Sequence, residues 1–323
     1  MLNRFTDLLI TAIAMCIATG AVAQIYPTKP IRIIIPTAPG GNPDFIARPI
    51  AQKMSEAMKQ AIVIDNRPGA AGIIGVEFVA RAAPDGYTIL FGAIGHVATP
   101  SALHAKLAFD AIKDFAPISL LAAAPFALFV HPSLAARSVQ ELVALAKARP
   151  GQINYASFGI GSFTHFVTEA LSASVGIKMV HVPYKGSAPA AAALLSGEVV
   201  MSFDALQATL PQVQAKRLHA LAIGATRRAP IAPDIPTFAE AGFPEITASA
   251  WFGLFAPANT PRDIVVKLHA EAVRALASPE IRDQFERAGI EPVGNTPEEF
   301  AAIVRSDIAK FTKIAKDAGI RAE

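Results

Sequence analysis

Apolar residues along this chain fall into two alternating patterns. One is a short run of β-branched residues, as at positions 31–35, which is typical of a buried strand. The other is an apolar residue at every third or fourth position, as with Ile46, Ile50 and Met54, which is typical of a helix. Further strands are predicted at residues 62–64, 87–91, 115–121, 126–131, 154–157, 179–182, 199–203, 218–223 and 251–256. The alternation predicts an α/β protein with doubly wound mixed sheets flanked by helices.

The stretch between the first strand and the first helix combines features of an anion-binding turn. Asn42 suits the N-cap and Pro43 the first helical position, where a missing N–H costs nothing. Gly40 and Gly41 let the backbone come close to a ligand, and the unpaired N–H groups at the start of a helix favour an anion. An ordinary strand-to-helix connection explains these residues equally well, so both interpretations stay open.

The order of the elements predicts two lobes. A mature chain of about 300 residues exceeds one comfortable hydrophobic core. The strand at 115–121 leaves the first set of elements and the strand at 251–256 returns to it, so we predict a discontinuous lobe 1, residues 24–124 plus 248–323, and a lobe 2, residues 125–247. Doubly wound sheets bind ligands at the carboxyl ends of their strands, which places the glycine turns of both lobes at one cleft.

Residues 1–23 have the features of a bacterial signal peptide. Arg4 precedes an apolar run at 8–17, and residues 21–23 form an A-x-A cleavage site. We therefore expect export to the periplasm of a Gram-negative cell. Cys16, the single cysteine, is expected to leave with this segment, although a lipid anchor on it stays open. The mature chain then has no disulfide and no thiol chemistry.

Charge and motifs argue against several classes of function. The formal net charge is +3, and the Lys and Arg residues are dispersed, which disfavours nucleic acid and suits a small anion. The sequence has no Walker loop and no H-E-x-x-H motif, and its histidines lack metal-ligand spacing. The glycines at 159–161 are not followed by the third glycine of a dinucleotide fingerprint. We predict no cofactor, no metal and no enzymatic activity.

The remaining polar residues suggest a carboxylate site. Glycine or serine turns after three strands offer backbone N–H donors, and two such turns opposed across a cleft can hold a carboxylate by fixed dipoles. Ser157, Ser162 and Thr164 add hydroxyl groups, and His165 either bonds a ligand oxygen or caps its helix. The predicted ligand-binding residues are Pro39, Gly40, Gly41, Asp44, Gly95, His96, Ser157, Gly159, Gly161, Ser162, Thr164, His165, Tyr184, Lys185 and Asp204.

Several of these residues have structural interpretations as well. An acid such as Asp44 is favoured near a helix N-terminus for structural reasons alone, and a lysine such as Lys185 is commonly just solvated. Asp204, at a predicted strand end, would accept from a ligand amine or hydroxyl if it faced the ligand. Residues 92–96, which include Gly95 and His96, are predicted as a loop after a strand. Trp251 and Phe129 are assigned to packing.

Blocks of sequence that follow one another with a characteristic spacing carry a family resemblance. The blocks are residues 39–48, 66–72, 84–88, 114–118, 161–165, 182–186 and 251–257. Together they resemble the Bug family (Bordetella uptake gene proteins), the substrate-binding receptors of tripartite tricarboxylate transporters. The resemblance covers essentially the whole mature chain.

The resemblance implies a two-lobed periplasmic-binding-protein fold that closes on a small carboxylated molecule and delivers it to integral-membrane permease subunits. It implies that the turn at 39–44 and the loop at 157–165 grip a carboxylate from both sides, partly through ordered water. A receptor of this kind is expected to be a monomer. Pro49, Phe158 and Phe163 depart from the family pattern, and the two phenylalanines would narrow the pocket or make it more apolar, which leaves a tricarboxylate substrate open.

Two other functions stay open. The same receptor could present its closed form to a membrane sensor kinase instead of a permease. An exported serine hydrolase could use Ser162 or Ser157 with His165, although no acid that would orient the histidine is identified.

Overall fold

A computed structural model describes residues 26–103 and 107–321 of the chain. The strands in these residues are β1 Ile31–Ile35, β2 Ile62–Asn66, β3 Thr88–Ala93, β4 Phe115–Val130, β5 Asn154–Ser157, β6 Val180–Pro183, β7 Met201–Ala205, β8 His219–Ile223, β9 Ser249–Pro257 and β10 Glu291–Pro292. They form one sheet with the order β2-β1-β3-β9-β4-β7-β5-β6, to which β8 and β10 are added by pairing with β4.

Helices cover this sheet. The α-helices are α1 Asn42–Met58, α2 Ile73–Ala80, α3 Ile94–Leu103, α4 Val139–Ala148, α5 Phe163–Val175, α6 Ser187–Ser196, α7 Leu206–Gln214, α8 Arg262–Leu276, α9 Pro279–Arg287 and α10 Pro297–Ala318. A single 3₁₀ turn at Ala70–Gly72 precedes α2. Mixed strands with helices between them confirm the predicted α/β class.

Each half of the sheet contains three parallel strands. In the first half β1 lies between β2 and β3 and is parallel to both. In the second half β5 lies between β6 and β7 and is parallel to both. The loops that leave parallel strands gather at one edge of the sheet. We call the edge after β1, β2 and β3 the first carboxyl edge, and the edge after β5, β6 and β7 the second carboxyl edge.

Two antiparallel strands connect the halves. β4 pairs with β9 up to Pro125 and with β7 and β8 from Phe126 onward. Pro125 therefore lies where the ladder changes partners, a position that tolerates a missing N–H. Beside it, Gly224 approaches Ala248 so closely that a Cβ would overlap the backbone of that residue. The crossing is a tightly packed part of the molecule.

The core follows the strands. β1 is buried at every position except Arg32, because helices cover the sheet. Trp251 and Phe129 are 4% and 0% exposed, which confirms that they pack in the interior. No helix in the described part of the chain is long and apolar enough to cross a membrane. The predicted signal peptide and Cys16 lie outside the described residues.

Several predicted boundaries are wrong. The strands predicted at 115–121 and 126–131 are a single strand, β4. The loop predicted at 92–96 is absent, because β3 continues to Ala93 and α3 begins at Ile94. The N-cap of α1 is Gly41 instead of Asn42. α9 is absent from the predicted elements.

Candidate functional site

Asp44 holds the turn after β1 in place. Its carboxylate is buried, and Oδ2 accepts from the Gly40 N–H at 3.1 Å and from Asn66 Nδ2 at 3.0 Å. The Arg48 guanidinium pairs with the other oxygen. Gly40 has φ +93°, which favours glycine, and a Cβ there would meet no atom within 4 Å. The turn is therefore shaped by Asp44 and is open on the side of Gly40.

The free donors of this turn belong to the start of α1. The Gly40 N–H is taken by Asp44, whereas the N–H groups of Gly41, Asn42 and Asp44 have no acceptor among the described residues. Unpaired N–H groups at the positive end of a helix favour an anion. This part of the first carboxyl edge can hold a carboxylate without a charged side chain.

The loop after β5, at the second carboxyl edge, is held together by its own hydrogen bonds. The N–H groups of Phe158, Gly159, Gly161 and Ser162 donate respectively to Thr164 Oγ1 at 3.0 Å, Ser157 Oγ at 3.1 Å, His165 Nδ1 at 3.1 Å and the Gly159 carbonyl at 3.1 Å. The N–H groups of Ile160, Phe163 and Thr164 find no acceptor within residues 26–103 and 107–321. The glycines therefore shape the loop, and the start of α5 supplies most of its free donors.

Two stacked histidines support this loop. The rings of His165 and His181 are 3.8 Å apart and inclined by 15°, and His181 Nε2 lies 2.6 Å from Ser157 Oγ. Because His165 Nδ1 accepts from Gly161, the neutral ring carries its proton on Nε2. Burial, and then the neighbouring His181, lowers the pKa of His165 to about 3. Burial also lowers the pKa of His181 to about 4.

His181 was not among the predicted site residues. It lies in β6 and reaches Ser157 and His165 only through the parallel pairing of β6 with β5. Ser162 caps α5 by accepting from the His165 N–H at 3.4 Å. The Ser–His contact that the fold creates is thus between Ser157 and His181, and Ser157 is fully buried.

The loops after β6 and β7 complete the second carboxyl edge. Asp204 lies inside β7 and is 3% exposed; its Oδ1 accepts from the Ala205 N–H at 2.8 Å and from Ser187 Oγ at 3.3 Å. Burial raises its pKa to about 6, against the lowering effect of these hydrogen bonds. Tyr184 donates its hydroxyl to Glu198 at 2.8 Å, and Lys185 is exposed.

Gly95 and His96 lie in the first turn of α3, directly after β3. The His96 ring packs against Gly72, and its Nδ1 is buried without a hydrogen-bond partner in the described residues. Burial lowers the pKa of His96 to about 4. A Cβ on Gly95 would meet no atom within 4 Å. This turn therefore presents a neutral imidazole beside open space.

Buried polar atoms without a partner concentrate at the two carboxyl edges. In the described part of the chain such atoms are found on Thr37, His96, Gln207 and Ser278, apart from the Asp44 oxygen that Arg48 neutralises. Thr37 follows β1, His96 follows β3 and Gln207 follows β7; Ser278 lies elsewhere. Folded proteins rarely leave buried polar atoms unpaired, so these atoms indicate positions for ordered water or a ligand.

The two edges approach one helix. A Cβ on Gly161 would overlap the side chain of Leu103 at the end of α3, the helix whose first turn contains Gly95 and His96. Phe163 is 8% exposed and packs against Phe126, with ring centroids 5.2 Å apart. The expectation that Phe163 narrows the pocket is therefore wrong, because its ring belongs to the core.

Three solved structures resemble this chain closely. They are Rpa4515 of R. palustris with adipate (36% identity, TM-score 0.81, 92% of this chain and 99% of that one), MatC of Rhodopseudomonas palustris with bound malate (32%, 0.78, 90% and 99%) and the periplasmic binding protein BugD (31%, 0.78, 92% and 100%). Periplasmic binding proteins of this kind are two-lobed, which agrees with the predicted fold.

A family model, described as the tripartite tricarboxylate transporter family receptor, matches residues 46–320. The family consists of solute-binding receptors, and the solved relatives described above include proteins with the carboxylates adipate and malate. Both the family match and the likeness to BugD confirm the resemblance seen in the sequence blocks. The chain belongs to the family of tripartite tricarboxylate transporter receptors.

Proposed function

We propose that this chain is a periplasmic receptor that binds a small carboxylate between its two carboxyl edges and delivers it to the membrane subunits of a tripartite transporter. The observation that carries the proposal is the set of unpaired N–H groups at the starts of α1 and α5. They supply fixed positive dipoles from both halves of the sheet to one anion. The carboxylates adipate and malate in two relatives agree with this chemistry.

The same proposal includes the division into lobes. Residues 24–124 plus 248–323 would form lobe 1 and residues 125–247 lobe 2, which is supported by the change of partners along β4 after Pro125. A carboxylate that contacts both lobes would favour the closed form, since only differential contacts shift such an equilibrium. Export by the N-terminal segment, a monomeric state and docking to a permease belong to this proposal.

The direct test is the release of small molecules from the purified protein, identified by mass spectrometry, together with a thermal-shift screen of carboxylates. A ligand that binds only the folded state raises the melting temperature by mass action. We expect one or a few carboxylates to raise it, and amines or sugars of similar size to leave it unchanged. No shift with any carboxylate and no released carboxylate would contradict the proposal.

Gly95→Ala tests whether Gly95 contacts the ligand, because we expect it to raise stability while it lowers carboxylate affinity. The substitution adds a methyl group in open space on a helical residue, so we expect the free energy of unfolding to rise by about 0.5–1 kcal/mol. If Gly95 lines the ligand site, carboxylate affinity falls at the same time, by about tenfold, which isothermal titration calorimetry measures.

The matched control for Gly95→Ala is Gly176→Ala. Gly176 is the C-cap of α5, and a Cβ there also meets no atom within 4 Å. Because Gly176 has a φ of +67°, the alanine should lower the free energy of unfolding by about 1 kcal/mol. The substitution should leave carboxylate affinity unchanged. Unchanged affinity in Gly95→Ala would remove Gly95 from the site.

A hydrolase remains a second candidate only because of the Ser157–His181 contact at 2.6 Å. Ser157 is fully buried, and its Oγ also contacts the Gly159 backbone, so the hydroxyl is engaged in the loop. We expect a fluorophosphonate probe to leave the protein unlabelled. Stoichiometric labelling of Ser157 would favour the hydrolase.

A further inference from the structure

The side-chain amide of Gln207 is buried without any hydrogen bond. Both Nε2 and Oε1 lack a partner among the residues that the structure describes. Taking an amide out of water without new hydrogen bonds disfavours the folded state. A side chain kept in this state indicates that ordered water or a ligand supplies both a donor and an acceptor.

The position of Gln207 connects it with the ligand site. It is the second residue of α7, which begins where β7 ends at the second carboxyl edge. Three residues earlier, Asp204 in β7 accepts from Ser187, the first residue of α6, so the start of the helix after β6 is joined to the end of β7 here. Gln207 therefore lies at the same edge as the proposed carboxylate-binding loop.

The chemistry of the two side chains restricts what can bind. A carboxylate only accepts hydrogen bonds, so it would satisfy Gln207 Nε2 and leave Oε1 unpaired. A hydroxyl or a primary amide both donates and accepts, and would satisfy both atoms. A second carboxylate on the ligand would also face the buried carboxyl group of Asp204, which disfavours a neighbouring negative charge.

We propose that Gln207, together with Asp204, determines specificity by binding the end of the ligand remote from its carboxylate, and that it selects a hydroxyl or a primary amide there. This inference rests on the proposed function as a carboxylate receptor. It names the substrate class of the same site: a small monocarboxylate that carries a hydroxyl or carboxamide group, in preference to a plain dicarboxylate.

The test uses ligands that differ only at the remote end. Titration calorimetry compares succinate and adipate with their monoamides, with the ω-hydroxy acids of the same chain lengths and with the corresponding ω-amino acids. We expect the monoamide or the hydroxy acid of one length to bind about tenfold more tightly than the dicarboxylate of that length. In Gln207→Leu this ratio should fall to about one, with the affinity for the dicarboxylate changed by less than about twofold.

Gln214→Leu is the matched control, because Gln214 is an exposed residue at the end of the same helix. It should retain the tenfold preference, and thermal melts of both variants check that they fold.

A dicarboxylate that binds more tightly than its monoamide, or a preference that survives in Gln207→Leu, overturns the inference while leaving the receptor function intact. If the ω-amino acid binds most tightly, Asp204 alone binds the remote group of the ligand. That result also overturns the role proposed for Gln207. A wild-type protein that binds none of these ligands overturns the inference, and it contradicts the receptor function only if the wider screen of carboxylates and the released-ligand analysis are also blank.

Discussion

Replacing Asp44 by alanine is expected to lower the free energy of unfolding by about 2–4 kcal/mol. The substitution leaves the Gly40 N–H without its acceptor, leaves Asn66 Nδ2 with only the Thr37 carbonyl, and removes the carboxylate that pairs with Arg48. It also removes an acid from the first turn of α1, where a negative charge is favourable. Urea unfolding followed by circular dichroism measures the change.

Carboxylate affinity should fall in the same variant by at least about tenfold, because the turn loses the bond that fixes the direction of its free N–H groups. Asp44→Asn keeps the size of the side chain and one acceptor oxygen, so its effects should be intermediate. Comparing Asp44→Ala with Asp44→Asn therefore distinguishes the contribution of the hydrogen bond from Gly40 from the contribution of the negative charge.

Glu280→Ala is the matched control for Asp44→Ala. Glu280 is also an acid in the first turn of a helix, α9, and it pairs with Lys53 at 3.2 Å, but its side chain is 68% exposed. An exposed ion pair contributes at most about 1 kcal/mol. If Asp44→Ala cost no more than Glu280→Ala, Asp44 would be only a favourable charge at a helix start, and its role in shaping the turn would be wrong.

Local signals in the sequence were sufficient for the elements that depend on neighbouring residues. The strand at 31–35 has the predicted bounds and a glycine turn follows it, because a β-branched run and a Pro/Gly cluster specify both; only the N-cap lies one residue earlier than predicted. The same kind of signal was available for α9: Ser278 before Pro279 and Glu280 is an N-terminal pattern. That helix could have been predicted.

Other features depend on residues distant in the sequence. Gly92 suggests a loop, but it lies in β3 opposite Gly253, and a Cβ there would come within 3.1 Å of Phe255. The glycine favours close packing between the strands and lies inside β3, so the predicted loop was wrong. Pro125 similarly suggests a break in β4, although it only marks the change of partners.

The turns of the site could be predicted from the sequence, but the buried side chains that support them could not. The turn at Gly40 and Gly41 and the loop around Ser162 carry local glycine and N-cap signals. His181 could not be identified, because its contact with Ser157 exists only once β5 and β6 pair. Thr37 and Gln207 carry no sequence signal at all, since what distinguishes them is burial without a partner.

Acid should destabilise this protein through its buried histidines. His96, His165 and His181 have pKa values lowered by burial to about 4, about 3 and about 4, whereas histidine in an unfolded chain titrates near about 6.5. Below that value the unfolded chain binds more protons than the folded one, so stability is lost as the pH falls from about 6.5 toward about 4. Between about pH 7 and about pH 5 we expect a loss of about 1–2 kcal/mol for each histidine.

Acid should also weaken carboxylate binding. A protonated His165 can no longer accept from the Gly161 N–H, and two charged rings 3.8 Å apart would repel each other, so the loop after β5 would lose its shape. Urea unfolding at a series of pH values, with calorimetry of a bound carboxylate at the same values, tests this. His165→Gln and His181→Gln should each flatten the pH dependence of stability by about 1–2 kcal/mol over this range, and the double variant should flatten it by less than the sum, since the two rings share one environment. A wild-type stability that stays constant from about pH 7 to about pH 5 would mean that these rings accept protons without disturbing the loop, and the loop would then owe its shape to Ser157, Ser162 and Thr164.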